Sequence, residues 1–311
     1  MKKSSTLLYL CIVVSLLNIL AMGFYARHDK TTYAPAPSGS QAKVSPMYSD
    51  IFMPQAMDFA GEAVPLQRLD VREALKKELI VNAYLHSHTI QILETAPRMF
   101  AILEPILKAR NIPDDFKYLA VIESRLDPQI VSPSGAVGIW QIMKETGREL
   151  KLEVNQQVDE RYHIEKSTEA AATYLQKAYE RFGSWTLAAA SYNAGIRFLT
   201  KQMDIQKENN YYNLLLGEET ERYVYRILAL KQIMTHPWKY NFHIRYSAPS
   251  EPIEKVEVST SVKSWADFAQ QQGISYKTLK QFNPWLRKPE LHNARHKVYQ
   301  IDIPKNKKLY K

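Results

Sequence analysis

Cysteine is all but missing from this chain: Cys11 is the only one among 311 residues. A disulfide within one chain, a cysteine-based metal site and a cysteine nucleophile are therefore excluded. Metal-ligand spacing is missing as well, because the eight histidines include no pair on one helical face, so neither a metal nor a cofactor is expected. Lysine and arginine outnumber aspartate and glutamate, 41 to 32, but the bases are dispersed and no nucleic-acid recognition motif accompanies them. The balance suits an anionic polymer, a membrane surface or simply a solvated exterior, and no nucleic-acid partner is expected.

One long apolar run is present, over residues 7–25, with Lys2 and Lys3 before it and Arg27, His28 and Lys30 after it. It approaches the length needed to cross a bilayer. Ala21, Met22 and Gly23 also offer small residues for cleavage, so residues 1–30 read as a membrane anchor or a cleavable signal peptide, and the remainder as exported. Cys11 lies inside the run without a small residue before it, which argues against a lipoprotein processing site. Residues 31–67 mix Pro, Ser, Gly and Ala without sustained periodicity and read as a tether.

Helical periodicity begins near Val71 and persists to Arg110, then returns over residues 113–125, 167–182, 185–194 and 220–234. Ser167 and Gly183 have the chemistry of the N-cap and C′ residues of their helix, and Gly195 can stop the next one. After Pro237 the pattern changes to a strand in EKVEVST, a short helix between Ser264 and Gly273, a second helix ending before Pro284, and a closing strand in KVYQIDIP. The fold class expected is mainly α, with a small βααβ module at the end. A helical domain over 68–245 and a module over 250–311 follow from this.

Within the helix over 113–125, Phe116, Leu119 and Ala120 form an apolar stripe, and its continuation lands on Glu123 before Leu126. A carboxylate there is costly to ionise, so its pKa should rise toward the range of a general acid. The competing reading is a glutamate that ends its helix and turns to water. The turn-rich SPSGAVG and the apolar IWQIM that follow favour a loop folding back under a packed wall, beside the carboxylate.

The run ESRLDPQIVSPSGAVGIWQIM resembles the signature of lytic transglycosylases with a goose-type lysozyme-like domain, and its GIWQ stretch is most similar to the membrane-bound D type. VDERYHIEKSTEAAATYL, ASYNAG over 190–195 and EETERYV over 218–224 follow in the family's order, so the likeness covers roughly residues 70–240. Departures are Ser191 for the usual alanine, Lys144 for a proline and His163 for a common aspartate. The C-terminal pattern resembles a LysM module, a fold that binds N-acetylglucosamine chains. Trp265 and Trp285 could stack on sugars there or pack in its core.

The resemblance implies a lysozyme-like fold and cleavage of peptidoglycan glycan strands in the bacterial cell envelope, on the periplasmic side. It names Glu123 as the catalytic residue. It also carries over Ser132, Gln141, Met143, Tyr192, Asn193 and Tyr223 as substrate-binding or acid-holding partners, with Trp140 either a sugar platform or buried. Turn capping is the bland role for Ser132, helix-end bonding for Gln141 and core filling for Met143. Most glycosidases use two carboxylates, yet Asp127 before Pro128 reads as helix termination and Asp159 as a loop anchor acting through Arg161 or a helix terminus. With no second carboxylate, the family's route applies: the C6 hydroxyl of N-acetylmuramic acid attacks its own anomeric carbon. A hydrolytic muramidase of the same fold and a silent peptidoglycan-binding scaffold are the alternatives.

Overall fold

Why one helix lies at the centre is legible from its composition. The computed structural model describes residues 50–246 and 251–310, so the expected anchor or signal over 1–30 lies outside the described residues. Among those described, no helix is long and apolar enough to cross a membrane. A two-strand hairpin, β1 (Asp58–Phe59) with β2 (Glu62–Ala63), leads into α1 (Leu69–Tyr84) and α2 (His86–Ala109). There follow α3 (Lys117–Ser124), α4 (Lys144–Glu149), α5 (Ile164–Phe182), α6 (Trp185–Ala194), α7 (Ile196–Gln206) and α8 (Glu218–Thr235). In α8 the run Tyr223, Val224, Ile227, Leu228, Ala229 and Leu230 is buried, more than one stripe, so the helix must be surrounded. It packs against α1, α3 and α6.

Glu218, Glu219 and Glu221 in the first turn of α8 complement the positive end of the helix. Beside them Arg222 reaches back to α1, its Nε donating to Glu78 Oε1 at 2.6 Å, and Glu78 is only 2% exposed. That pair fixes the angle at which α8 enters the bundle.

The C-terminal module follows the expected order: β3 (Ile253–Val258), α9 (Trp265–Gln271), α10 (Tyr276–Phe282) and β4 (Tyr299–Pro304). The strands pair antiparallel from Ile253 opposite Pro304 to Val258 opposite Tyr299. Ser264 and Ser275 cap the two helices, accepting from the backbone N–H groups of Asp267 and Thr278. Trp265, Leu279, Ile301 and Ile303 fill the space between sheet and helices, so Trp265 serves the core and offers no face to a sugar.

Three expectations change. Residues 50–67, read as the end of a tether, belong to the helical body: Phe59 is fully buried and packs edge-on against Phe116. Glu62 accepts from the backbone N–H of Trp185 and of Thr186 at 2.5 and 3.0 Å, capping α6 from outside its own sequence. Ser167 is not an N-cap, since α5 begins at Ile164; its hydroxyl donates to the Ile164 carbonyl at 3.2 Å, a bond a serine makes inside a first turn. The helix over 113–125 opens as a 3₁₀ turn (Asp114–Phe116) because Pro113 holds an extended ψ of 141°. Gly183 (φ 64°) and Gly195 (φ 85°) do end α5 and α6.

Candidate active site

Glu123 occupies the last turn of α3, half-buried, one turn beyond the fully buried Leu119 and Ala120. The helix stops abruptly because Arg125 and Leu126 adopt left-handed φ of 55° and 64°. That double reversal sends the chain away from the helix axis ahead of Asp127 and Pro128. Asp127 then accepts from the Gln129 N–H at 2.8 Å, a turn role that matches the expectation from Asp-Pro.

The chain returns as a tight loop. Val137 bridges both Val131 and Ile142, while Ile139 and Trp140 are buried. Ser124, next to the carboxylate, places its hydroxyl 2.9 Å from the Ile139 carbonyl, tying the loop to the end of α3. Trp140 is fully buried and its indole N–H donates to Thr168 Oγ1 at 2.9 Å, so of its two roles the buried one holds. Opposite, the Tyr192 hydroxyl donates to the Trp140 carbonyl at 2.8 Å, and the Tyr174 hydroxyl donates to the Ser191 carbonyl at 2.7 Å. Ser191 itself is fully buried with its hydroxyl satisfied by the Ala188 carbonyl at 2.8 Å, which explains how a serine is accommodated at this alanine position.

Tyr223 completes the group by donating its hydroxyl to Glu123 Oε1. Burial pushes the Glu123 carboxyl up to about 7, against the opposing pull of the Tyr223 hydrogen bond, which favours the ionised form. Burial and the nearby Glu123 charge hold the hydroxyls of both Tyr192 and Tyr223 well above the usual tyrosine range, so both act as neutral donors. Glu123 thus sits between burial that favours its protonated form and one hydroxyl that eases its ionisation.

The other expected residues have partners of their own. Gln141, forced to a φ of 47°, directs its side-chain amide nitrogen to the Gly138 and Ile130 carbonyls at 2.9 and 3.3 Å. Met143 is 44% exposed, at the surface instead of in the core. Asn193 is exposed at the end of α6 and accepts from Thr220 Oγ1 at 2.8 Å. Ser132 accepts from the Ala136 N–H at 3.0 Å and pairs with Ser134 Oγ at 2.9 Å, capping its own turn. Asp159 holds Arg161 through both carboxylate oxygens, at 2.9 and 2.7 Å.

One nearby acid was not singled out in the sequence. The charge of Glu219 pushes the Glu123 pKa upward and that of Arg226 pulls it down. Glu219 precedes Tyr223 by four residues, hence shares its helical face, which is the signal that could have found it. Both Glu219 oxygens are engaged by Arg226, at 2.7 and 3.1 Å. No group of three or more metal-ligating side chains occurs among the described residues.

Residues 101–215 match the transglycosylase SLT domain, and residues 254–307 match the soluble lytic transglycosylase C-terminal LysM-like domain. Over 218 residues the chain is 34% identical to membrane-bound lytic murein transglycosylase D of Escherichia coli, covering 68% of this chain and 47% of that protein, with the same figures for a second strain. The chain therefore spans about half the length of these curated relatives. Of solved structures, the 70 kDa soluble lytic transglycosylase of Escherichia coli is 22% identical over 44% of this chain and 24% of that one, with a TM-score of 0.38.

Proposed function

We propose, from the premise that this chain carries a transglycosylase SLT domain followed by a LysM-like domain, that it is a peptidoglycan lytic transglycosylase. It cleaves the β-1,4 bond between N-acetylmuramic acid and N-acetylglucosamine without consuming water. The observation that carries this reading is the solitary acid: Glu123 is held near its protonation midpoint, and the one other carboxylate that perturbs it, Glu219, is occupied by Arg226. A hydrolase of the usual kind needs a second carboxylate to activate water or attack the sugar. Here the substrate supplies the nucleophile.

In this mechanism Glu123 donates its proton to the bridging oxygen, and the N-acetylglucosamine leaving group departs with that proton. The substrate's 2-acetamido carbonyl stabilises the positive charge at the anomeric carbon. Glu123, now a carboxylate stabilised by the Tyr223 hydroxyl, takes the proton of the C6 hydroxyl as that oxygen closes on the anomeric carbon. The product is a 1,6-anhydro ring, and Glu123 ends protonated, as it began. A pKa of about 7 suits both halves of the cycle. Gln141 would accept the acetamido N–H through its amide oxygen, Met143 and Asn193 would line the sugar's path, Tyr192 would hold the loop beneath it, and Ser132 would shape the loop's outer turn.

The deciding measurement is mass spectrometry of purified peptidoglycan after digestion. Fragments lighter by one water, with anhydro ends, are expected; reducing ends would identify a muramidase instead. Tyr223→Phe supplies a second expectation. Loss of the hydroxyl removes the interaction that lowers the Glu123 pKa, so the alkaline limb of the rate profile should move to higher pH while kcat falls. A limb left in place would separate that limb from Glu123. The enzyme is assigned to the bacterial cell envelope, working on the periplasmic side, with the segment over residues 1–30 as its anchor or export signal.

A further inference from the structure

The LysM-like module does not hang from the helical body; it is stitched to one segment of it. Residues 157–163 and 284–287 run alongside each other. The Asp159 N–H donates to the Trp285 carbonyl at 2.9 Å and the Arg287 N–H to the Gln157 carbonyl at 2.8 Å, with Val158 bridging Leu286 antiparallel. Side chains seal the seam. Val137, Val158 and Tyr162 share one buried cluster with Trp265, Leu286 and Ile301 of the module. The Arg287 guanidinium lies 4.0 Å from the Tyr162 ring centroid, and Trp285, only 2% exposed, is stacked between His163 and Tyr299. Burial holds the His163 pKa down at about 4, so this ring is neutral at physiological pH and stacks without a charge to solvate. Lys297 adds ion pairs to Glu153 and to Glu160, the latter at 3.3 Å.

The stitched segment is also bonded to the loop beside Glu123. Arg161, two residues beyond the Asp159 bond to the module, is buried and points the other way. Its Nη1 donates to the carbonyls of Gly135 and Ile142 at 3.2 and 3.1 Å, bracketing the loop, while Asp159 fixes the rest of the guanidinium. The Arg161 carbonyl also lies so close to Gly138 that a Cβ there would meet it at 2.2 Å. The loop in turn holds Ser124 and Tyr192 through the carbonyls of Ile139 and Trp140. An unbroken line of bonds thus joins Trp285 to the immediate neighbours of Glu123.

We propose that the C-terminal module acts as a brace for the active-site loop, and that Arg161 is the positioning residue that transmits its hold. Docking orders residues 157–163, so that the Nε and Nη2 fork of Arg161 is held by Asp159 and its Nη1 is aimed at the two loop carbonyls. Trp285 is consumed by this joint and is unavailable as a sugar platform.

Two variants of the full chain test this: Arg287→Ala, an exposed residue at the seam, and Arg161→Lys, which keeps the charge but loses the fork. Hydrogen exchange over residues 135–142 is read alongside kcat and KM; only the kinetic arm rests on the transglycosylase reading, since exchange reports the loop whatever the reaction. Arg161→Lys should raise loop exchange at least tenfold and Arg287→Ala, which loses one exposed cation–π contact, about two- to fivefold, while α8 keeps its protection and kcat falls in step with KM held. Unchanged loop exchange in Arg287→Ala overturns the brace, as does a rise in KM with kcat held, which would make the module a substrate-binding unit. Wild-type chain that cleaves nothing, yet shows the exchange response in both variants, would sink the proposed activity and leave the brace standing.

Discussion

Glu123→Gln is expected to abolish glycan-strand cleavage and to leave the fold intact. The substitution keeps the side-chain volume, and the Tyr223 hydroxyl can donate to the amide oxygen as it does to Glu123 Oε1, so the packing around α3 and α8 is conserved. What is lost is the only transferable proton in the group. General acid–base catalysis contributes about 10²- to 10⁴-fold for one role, and here one residue performs two, so activity should fall by at least about 10⁴-fold. Appreciable residual cleavage would mean that another group is the acid. The same variant carries a stability signature. In the wild type the folded chain holds a proton on Glu123 up to about pH 7, whereas the unfolded chain releases it near 4.5. Its contribution to stability is therefore fully present below 4.5 and lost as pH rises through 7. Glutamine has no such slope, so the melting temperature of Glu123→Gln should gain on the wild type across that window and run parallel above it.

The second large effect is expected at Gly138. Its φ of +78° is a left-handed conformation, and a Cβ would lie 2.2 Å from the Arg161 carbonyl oxygen and 3.1 Å from its carbon. Both are backbone atoms, in a residue clamped by Asp159, so the clash has no flexible neighbour to absorb it. Left-handed strain costs about 1–2 kcal/mol and overpacking about 1–3 kcal/mol. Gly138→Ala should therefore destabilise by about 2–5 kcal/mol, seen as a fall of roughly 5–15 °C in melting temperature, with activity lost in step as the loop is pushed off Arg161. Gly135→Ala is the control: its φ is +86° but nothing lies within 4 Å of the added methyl, so only the strain of about 1–2 kcal/mol applies. Equal effects at the two glycines would show that close approach to Arg161 is immaterial.

Much of this architecture can be read locally. Ser264 before an apolar periodic run announced the start of α9, and Gly183 and Gly195 announced two helix ends, because capping involves atoms within four residues of each other. The carboxylate at Glu123 was legible as an interruption of an apolar stripe, and Asp127 and Asp159 took the structural roles their contexts suggested. Failures were of one kind. Glu62 caps α6 across more than 120 residues, Phe59 reaches the core from a stretch whose composition resembled a linker, and Ser167 lies inside a helix it was expected to start. Hydrogen-bonding capacity was visible in Glu62 and Ser167 and apolar character in Phe59, but not the partner of each.

The sequence by itself determined the helical body, the βααβ module and the presence of a carboxylate on an apolar helical stripe, since periodicity, capping chemistry and a misplaced carboxylate are properties of short segments. Tertiary structure decided that Tyr223 donates to Glu123, that Glu219 is neutralised by Arg226, that Trp140 and Trp285 are buried, and that the module grips residues 157–163. The physical reason is that a pKa and a side chain's availability depend on which distant groups exclude water from it, and only the assembled fold brings those groups within reach.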